Sequence, residues 1–269
     1  MTTTVKVATL NLHNRQHRWS ERRHLIVAEI MDQMPDLVSL QEINFPIGQG
    51  QWLRSQINTR ISGSPRRPYR LIQKRTHHLI RGYFEGIGIL TRLPIISHDA
   101  ISLGYDGRVA LRANVTLASG DSLDFVATHL HSVARDREAR LEQVLTLTGW
   151  INDVGRVPLQ VIAGDFNEVP DGPAIQQMKQ TYRSALAQVR GYEPLATFPT
   201  VLAPGHGGWS GCLDYIFVSS AIQVIDAALF ANKAHDEDET LYPSDHVGLV
   251  ALLSIVERAP SRRSPQKRV

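Results

Sequence analysis

Nine polar residues stand where short apolar runs stop: Asn11, Glu42, Glu85, His129, Asp165, Asn167, Asp214, Asp245 and His246. Five are carboxylates, two are imidazoles and two are amides. Each alone has an ordinary explanation, because Asp and Asn cap strands and open turns, and single histidines are common structural groups. Together they suggest one site, since carboxylates without nearby lysines tolerate close approach only when a cation or a proton neutralises them. An oxygen-rich donor set suits a hard ion such as Mg²⁺ or Mn²⁺. Zinc fits less well, because no Cys or His cluster has zinc spacing.

The elements that must position these groups read as alternating strands and helices. In PLQVIAGDFNEVP, Leu159, Val161 and Ile162 form a buried strand, Gly164 lets the chain turn, and Asp165 and Asn167 sit at the carboxyl end, where open α/β sheets collect ligands. VKVATLNL is a strand running into Asn11, and DLVSLQE is another ending at Gln41 and Glu42. Between them, Val27, Ile30, Met31 and Met34 repeat at helical spacing, with Ser20 as the expected cap and Pro35 as the stop. This strand-helix-strand unit brings Asn11 and Glu42 to one sheet edge.

A second helix is expected at 51–60, followed by a strand from Glu85, in which Gly86 and Gly88 allow close backbone approach. Three strands joined by short turns, Ile95 to Leu103, Val109 to Leu117 and Leu123 to Leu130, read as antiparallel and end near His129 and His131. A helix over 133–154, with Leu141, Val144, Leu145 and Thr148 on its apolar face, leads back to Asp165. Beyond it come a helix at 173–182 and a Gly- and Pro-rich loop at 190–212. Strands then follow Asp214 and cover VIDAALF, and Asp245 and His246 precede a closing strand.

The chain of 269 residues is long enough for one large α/β domain, expected at 1–256. The net charge of +3 is uneven: residues 257–269 carry five Arg or Lys and one Glu, which leaves −1 for the rest. That Pro-, Ser- and Arg-rich tail reads as disordered. Between Arg54 and Arg81 lie eight basic residues and no acid, read as an inter-strand loop that attracts an anionic partner. Lys74, Arg75 and His131 are the candidate substrate contacts. A single cysteine, no signal-like start and no long apolar run lead to the expectation of a soluble, cytoplasmic monomer.

The motifs TLNLHN, SLQEI, ATHLHS, AGDFNEVP, LDYIFVS and SDHVGL, in this order, resemble the endonuclease/exonuclease/phosphatase superfamily of metal-dependent phosphoesterases. The resemblance implies an α/β fold, a four-layer α/β/β/α sandwich of two mixed β-sheets packed face to face, with the site at their shared edge. It implies Glu42 as principal ligand of Mg²⁺ or Mn²⁺, with Asn11 and Asp245 assisting. Asp165 and Asn167 would orient and deprotonate the attacking water, His246 held by Asp214 would meet the phosphate, and His129 would stabilise transition-state charge or help the leaving group. Glu85 is the candidate partner of His129. Phosphoryl transfer needs such a water, a cation and donors where charge builds, with no covalent nucleophile. The implied substrate is an anionic phosphodiester, nucleic acid or phospholipid head group. A phosphomonoesterase and a non-catalytic binding protein are the alternatives.

His129 stands where apurinic endonucleases usually carry tyrosine. The inositol 5-phosphatase signature is missing near Asp214, and Gly-Asp-Phe-Asn replaces the Gly-Asp-Thr-Asn of tyrosyl-DNA phosphodiesterases.

Overall fold

The computed structural model describes residues 2–14, 17–76, 84–153, 157–202 and 210–256. The basic tail at 257–269 lies outside them, as do His77, His78, Arg81 and residues 203–209 of the long loop.

The first unit is β1 (Thr2–Asn11), α1 (Trp19–Gln33) and β2 (Leu37–Asn44). The two strands run parallel, with Val7 opposite Leu37 and Asn11 opposite Gln41. Next come α2 (Gln49–Ile61), β3 (Arg70–Arg75) and β4 (Glu85–Thr91). An antiparallel run of β5 (Ile95–Ser102), β6 (Val109–Thr116) and β7 (Ser122–His129) follows. Then α3 (Arg137–Asp153) crosses to β8 (Gln160–Asp165), parallel to β7, which sets His129 opposite Asp165. The chain closes through α4 (Pro173–Lys179), β9 (Arg183–Ser184), α5 (Ala185–Arg190), β10 (Asp214–Val218), β11 (Gln223–Phe230) and β12 (Gly248–Val256).

The strands form two mixed six-stranded sheets, ordered β11-β12-β1-β2-β4-β3 and β5-β6-β7-β8-β10-β9. Strand alternation divides their side chains among three apolar layers. Val5, Val7 and Ile89 of one sheet meet Leu111, Phe125, Val161 and Ile216 of the other in the central core. On the outer faces, Leu10, Val38 and Leu40 pack with Ile26, Ile30, Leu53 and Ile57 of α1 and α2. Val126 and Ile162 pack with Val144, Leu147 and Ile175 of α3 and α4. This is the α/β sandwich expected.

Several local expectations need correction. Ser20 lies inside the first turn of α1, and the cap position is Arg18, in the left-handed region and without a capping side chain. On α3 the buried face is Ala139, Arg140, Gln143, Val144, Leu147 and Ile151, whereas Leu145 is 49% exposed. The apolar count misjudged that face because Arg140 is buried in hydrogen bonds to Glu168 and to the carbonyls of His131, Val133 and Ala134. The short helix α5 was not anticipated; its cap is Ser184, whose hydroxyl accepts from the Ala187 amide.

The basic segment is a loop only in part: Arg66 and Arg67 lie in the irregular connection 62–69, as expected. Arg54 and Arg60 belong to α2, and Lys74 and Arg75 are exposed on β3, which among the described residues is an edge strand with β4 as its one neighbour. Lysine and arginine suit such an edge, because charge there opposes strand addition by another chain. Among the described residues, no helix is long and apolar enough to cross a membrane.

Candidate active site

The carboxyl ends of the parallel pairs β1/β2 and β7/β8 meet at one edge of the sandwich. Asn11 continues the inward-facing side of β1, and its Nδ2 donates to Glu42 Oε1 at 3.3 Å and to Asp165 Oδ2 at 3.0 Å, joining the two sheets. Glu42 would face the outer helices if β2 kept its alternation beyond Leu40. A register shift between Leu40 and Ile43, with Glu42 at φ 54°, turns it inward. Glu42, His13 and Asn167 all hold left-handed backbone here. Non-glycine residues adopt that region at a cost, and such strain gathers at functional sites. Gly164 lets β8 lie against β7, since a Cβ there would collide with the Thr128 carbonyl oxygen.

Asp165 is the centre of the cluster. Its Oδ1 accepts from the Asn167 backbone amide at 2.8 Å, and Asn167 Nδ2 donates to the Leu130 carbonyl at 3.1 Å. Two imidazoles approach its Oδ2, His129 Nε2 at 3.5 Å and His246 Nε2 at 3.7 Å, both too long for good hydrogen bonds. His246 Nδ1 lies 2.9 Å from Asp214 Oδ2. The Phe198 ring packs 4.7 Å from the His246 ring, and the Thr197 hydroxyl accepts from the Leu213 and Asp214 amides. Asp245 Oδ2 lies 2.9 Å from His13 Nδ1.

Burial sets the electrostatics. It raises the Asp165 carboxyl to about 7 against the pull of His246, with Asp214 adding to the rise. Burial alone would depress His246, but Asp214, Asp165 and Asp245 outweigh it and hold the imidazole well above its ordinary range. For Asp245, burial opposes ionisation, yet the bond from His13 and the charge of His246 bring it to about 2. Glu85 rises to about 7, first through burial and then through Glu42.

A native carboxyl raised above its unfolded value binds extra protons when folded, so its contribution to stability falls as pH rises toward the folded pKa. In chelated protein, Glu85→Gln is therefore expected to gain Tm relative to wild type between about pH 5 and about pH 7. Melting curves with EDTA check this, and a pH-independent difference would contradict it.

Residues 8–246 match the model of the Endonuclease/Exonuclease/phosphatase family. The chain belongs to this family. Its members are hydrolases acting on phosphate esters. Among solved structures, the chain is similar to an endonuclease/exonuclease/phosphatase from Bacteroides vulgatus, with TM-score 0.76, 21% identity, and 94% of this chain and 100% of that chain covered. It is similar to D. rerio TDP2 complexed with single strand DNA product, at TM-score 0.75 and 19% identity, covering 93% and 98%. It is also similar to the human Nocturnin catalytic domain with bound sulfate anion, at 0.74 and 20%, covering 94% and 95%. These likenesses are of fold. No curated protein matches by sequence.

Family members generally use a divalent metal, and two donor sets here could hold one. The ligand atoms of Asp165, Asp214 and His246 lie within 4.8 Å of one another. That set is the poorer choice, because His246 Nδ1 and Asp214 Oδ2 already pair with each other at 2.9 Å and a hard ion favours oxygen donors. Glu42 and Glu85 fit better. Glu42 is half-buried and, among the described residues, accepts from two amides, Asn11 Nδ2 and the Asn14 backbone at 2.9 Å. The rise that Glu42 imposes on Glu85 is a repulsion that a hard dication among oxygen ligands would relieve.

The structure brings Asn11, Glu42, Asp165, Asn167, Asp214, His129 and His246 together, with Asp245 beside His13 on the same rim. It does not put Glu85 against His129. Arg108 Nη1 stands between them, 3.0 Å from Glu85 Oε1 and 2.7 Å from His129 Nδ1. Nor is His131 free for substrate. Its ring nitrogens lie 2.7 Å from Asp106 and 3.3 Å from Asp136. Lys74 and Arg75 sit one strand out from Glu85, with Arg75 opposite Gly86 and its guanidinium 4.7 Å from the Phe45 ring.

Sequence reasoning missed Arg108, His13 and Asn14, the last of which also donates to Glu85 at 3.3 Å. His13 and Asn14 lie within TLNLHN and could have been weighed with Asn11. It also missed Arg22, fully buried on α1, which donates to the carbonyls of Leu12, His13, His17 and Pro243 and so ties the loop after β1 to the loop before β12.

Proposed function

We propose that the protein is a divalent-metal-dependent phosphodiesterase that hydrolyses its substrate by in-line attack of water. The observation that carries this reading is Asp165 Oδ2, a buried carboxylate oxygen flanked by two imidazole Nε2 atoms at 3.5 and 3.7 Å, neither of them committed to it. A phosphoryl oxygen placed between the rings would meet both while a water lies against the carboxylate. Asp165, fixed by Asn11 and Asn167, orients the water and takes its proton. His246, kept charged by Asp214, neutralises charge building on the phosphoryl oxygens, and His129 donates to them.

Glu42 would hold Mg²⁺ or Mn²⁺, with Asn11, Asp245 and Glu85 assisting. The ion would supply Lewis-acid polarisation there. The charge inventory favours a diester, since the five carboxylates Glu42, Glu85, Asp165, Asp214 and Asp245 outnumber the cations that oppose them among the described residues, Arg108, His246 and the buried Arg22. A phosphomonoester dianion is repelled more than a diester monoanion.

The test is a hydrolysis profile with Mg²⁺, Mn²⁺ and EDTA across an aryl diester, an aryl monoester, DNA and RNA oligonucleotides and sphingomyelin vesicles. Metal-dependent turnover with diesters ahead of the monoester is expected; chelator-resistant turnover or a dominant monoester would overturn the reading. The exposed β3 pair, Lys74 and Arg75, would recruit a polyanion. Lys74→Ala/Arg75→Ala is expected to lower kcat/KM for a polymeric or vesicle substrate at low salt, less at high salt, and to spare the small aryl diester. Equal values for all substrates at both salts would remove that role.

A further inference from the structure

We infer that Arg108 is a positioning residue that locks His129 as the neutral tautomer with its proton on Nε2, so that His129 serves the reaction as a fixed hydrogen-bond donor and not as a proton-delivering acid. This rests on the phosphodiesterase reading above and assigns one residue's part in it. The decisive contact is Arg108 Nη1 to His129 Nδ1 at 2.7 Å. A guanidinium has donors only and stays protonated in proteins. Nδ1 must therefore present its lone pair, because a proton on it would set two N–H groups against each other at hydrogen-bond distance.

The remaining proton then lies on Nε2. That atom faces Asp165 Oδ2 at 3.5 Å, beyond a good hydrogen bond, so the donor is left for the substrate. The surroundings agree. His129 is buried, and burial first, then the charges of Arg108 and His246, push its ring well below the ordinary range for protonation. Arg108 is itself buried and anchored on the far side by Glu85 Oε1 at 3.0 Å. A carboxylate in contact with Nδ1 would favour an imidazolium, whereas the interposed arginine forbids one. The two histidines of the site thus divide the work: His246 is charged through Asp214, and His129 is neutral through Arg108.

The assignment is read directly from long-range ¹H–¹⁵N correlations of the His129 ring in the wild-type protein, without substrate, with and without Mg²⁺. The expected result is a protonated Nε2 and a bare Nδ1 at neutral pH; Arg108→Lys should preserve the pattern, and Arg108→Met should release it to mixed tautomers. In turnover, His129→Ala is expected to lose about 10²–10³-fold in kcat, as for removal of one preorganised donor. His129→Gln, whose amide N–H reaches the Nε2 position, should recover at least tenfold of that loss, whereas His129→Asn should not. A ring protonated on Nδ1 or on both nitrogens would overturn the inference, as would equal losses for Gln and Ala. Absence of diester hydrolysis alongside the expected tautomer would instead fail the functional reading and leave the tautomer assignment standing.

Discussion

Asp165→Asn is expected to lower kcat by about 10²–10⁴-fold, the range for loss of a positioned general base, while KM changes little. The substitution keeps the side chain's shape, and the amide oxygen can still accept from the Asn167 backbone. What disappears is the charge opposite the two imidazoles and the capacity to take a proton from water. That interaction matures only in the transition state, so its loss falls on turnover. Single-turnover and steady-state kinetics on the best diester check the claim, and a defect confined to KM would remove Asp165 from the role of base.

Glu42→Gln is expected to weaken metal use by a similar order. Under the proposed function, losing the carboxylate takes away the cation's main anchor and several kcal/mol of transition-state stabilisation, so turnover at limiting Mg²⁺ should drop by about 10²-fold or more. Excess Mg²⁺ should restore part of it. A ligand that binds only the folded state raises Tm by mass action, so the wild type should gain Tm on addition of Mg²⁺ or Mn²⁺ and the variant should gain much less. Wild-type turnover at limiting metal would place the ion elsewhere, with Asp165, Asp214 and His246 as the next set to test.

Much of this rim could be read from sequence because each residue closes an apolar run. Val5 to Leu10 runs into Asn11, Leu159 to Ala163 into Asp165, and His129 follows Phe125 to Thr128, so strand ends and site residues announce each other. The parallel pairing of β1 with β2 followed from the helix between them. Other features depend on contacts that spacing does not encode. Arg108 reads as a charged residue after a turn, and only the pairing of β6 with β7, Ala110 opposite Thr128, carries it beside His129. Glu42 has the wrong strand parity for the site, and a bulge corrects it. His131 shares the parity of His129, yet Asp106 and Asp136 hold its ring. Lys74 and Arg75 looked like loop residues because their strand is short and half-exposed on both faces, with no apolar alternation to mark it.

The pairing of β12 with β1, from Thr9 opposite Leu249 to Thr2 opposite Val256, places the last described strand between β1 and β11 in the middle of a sheet. Asp245 and His246 enter the rim only when that strand docks. A growing chain that has made Asn11, Glu42, His129 and Asp165 still lacks the charged imidazole, and β1 still shows an unpaired edge. Pairing across so long a stretch of sequence comes late in folding. Under the proposed function, the complete site therefore forms only when β12 docks, and fragments cut before residue 245 are expected to show no weakened form of the activity.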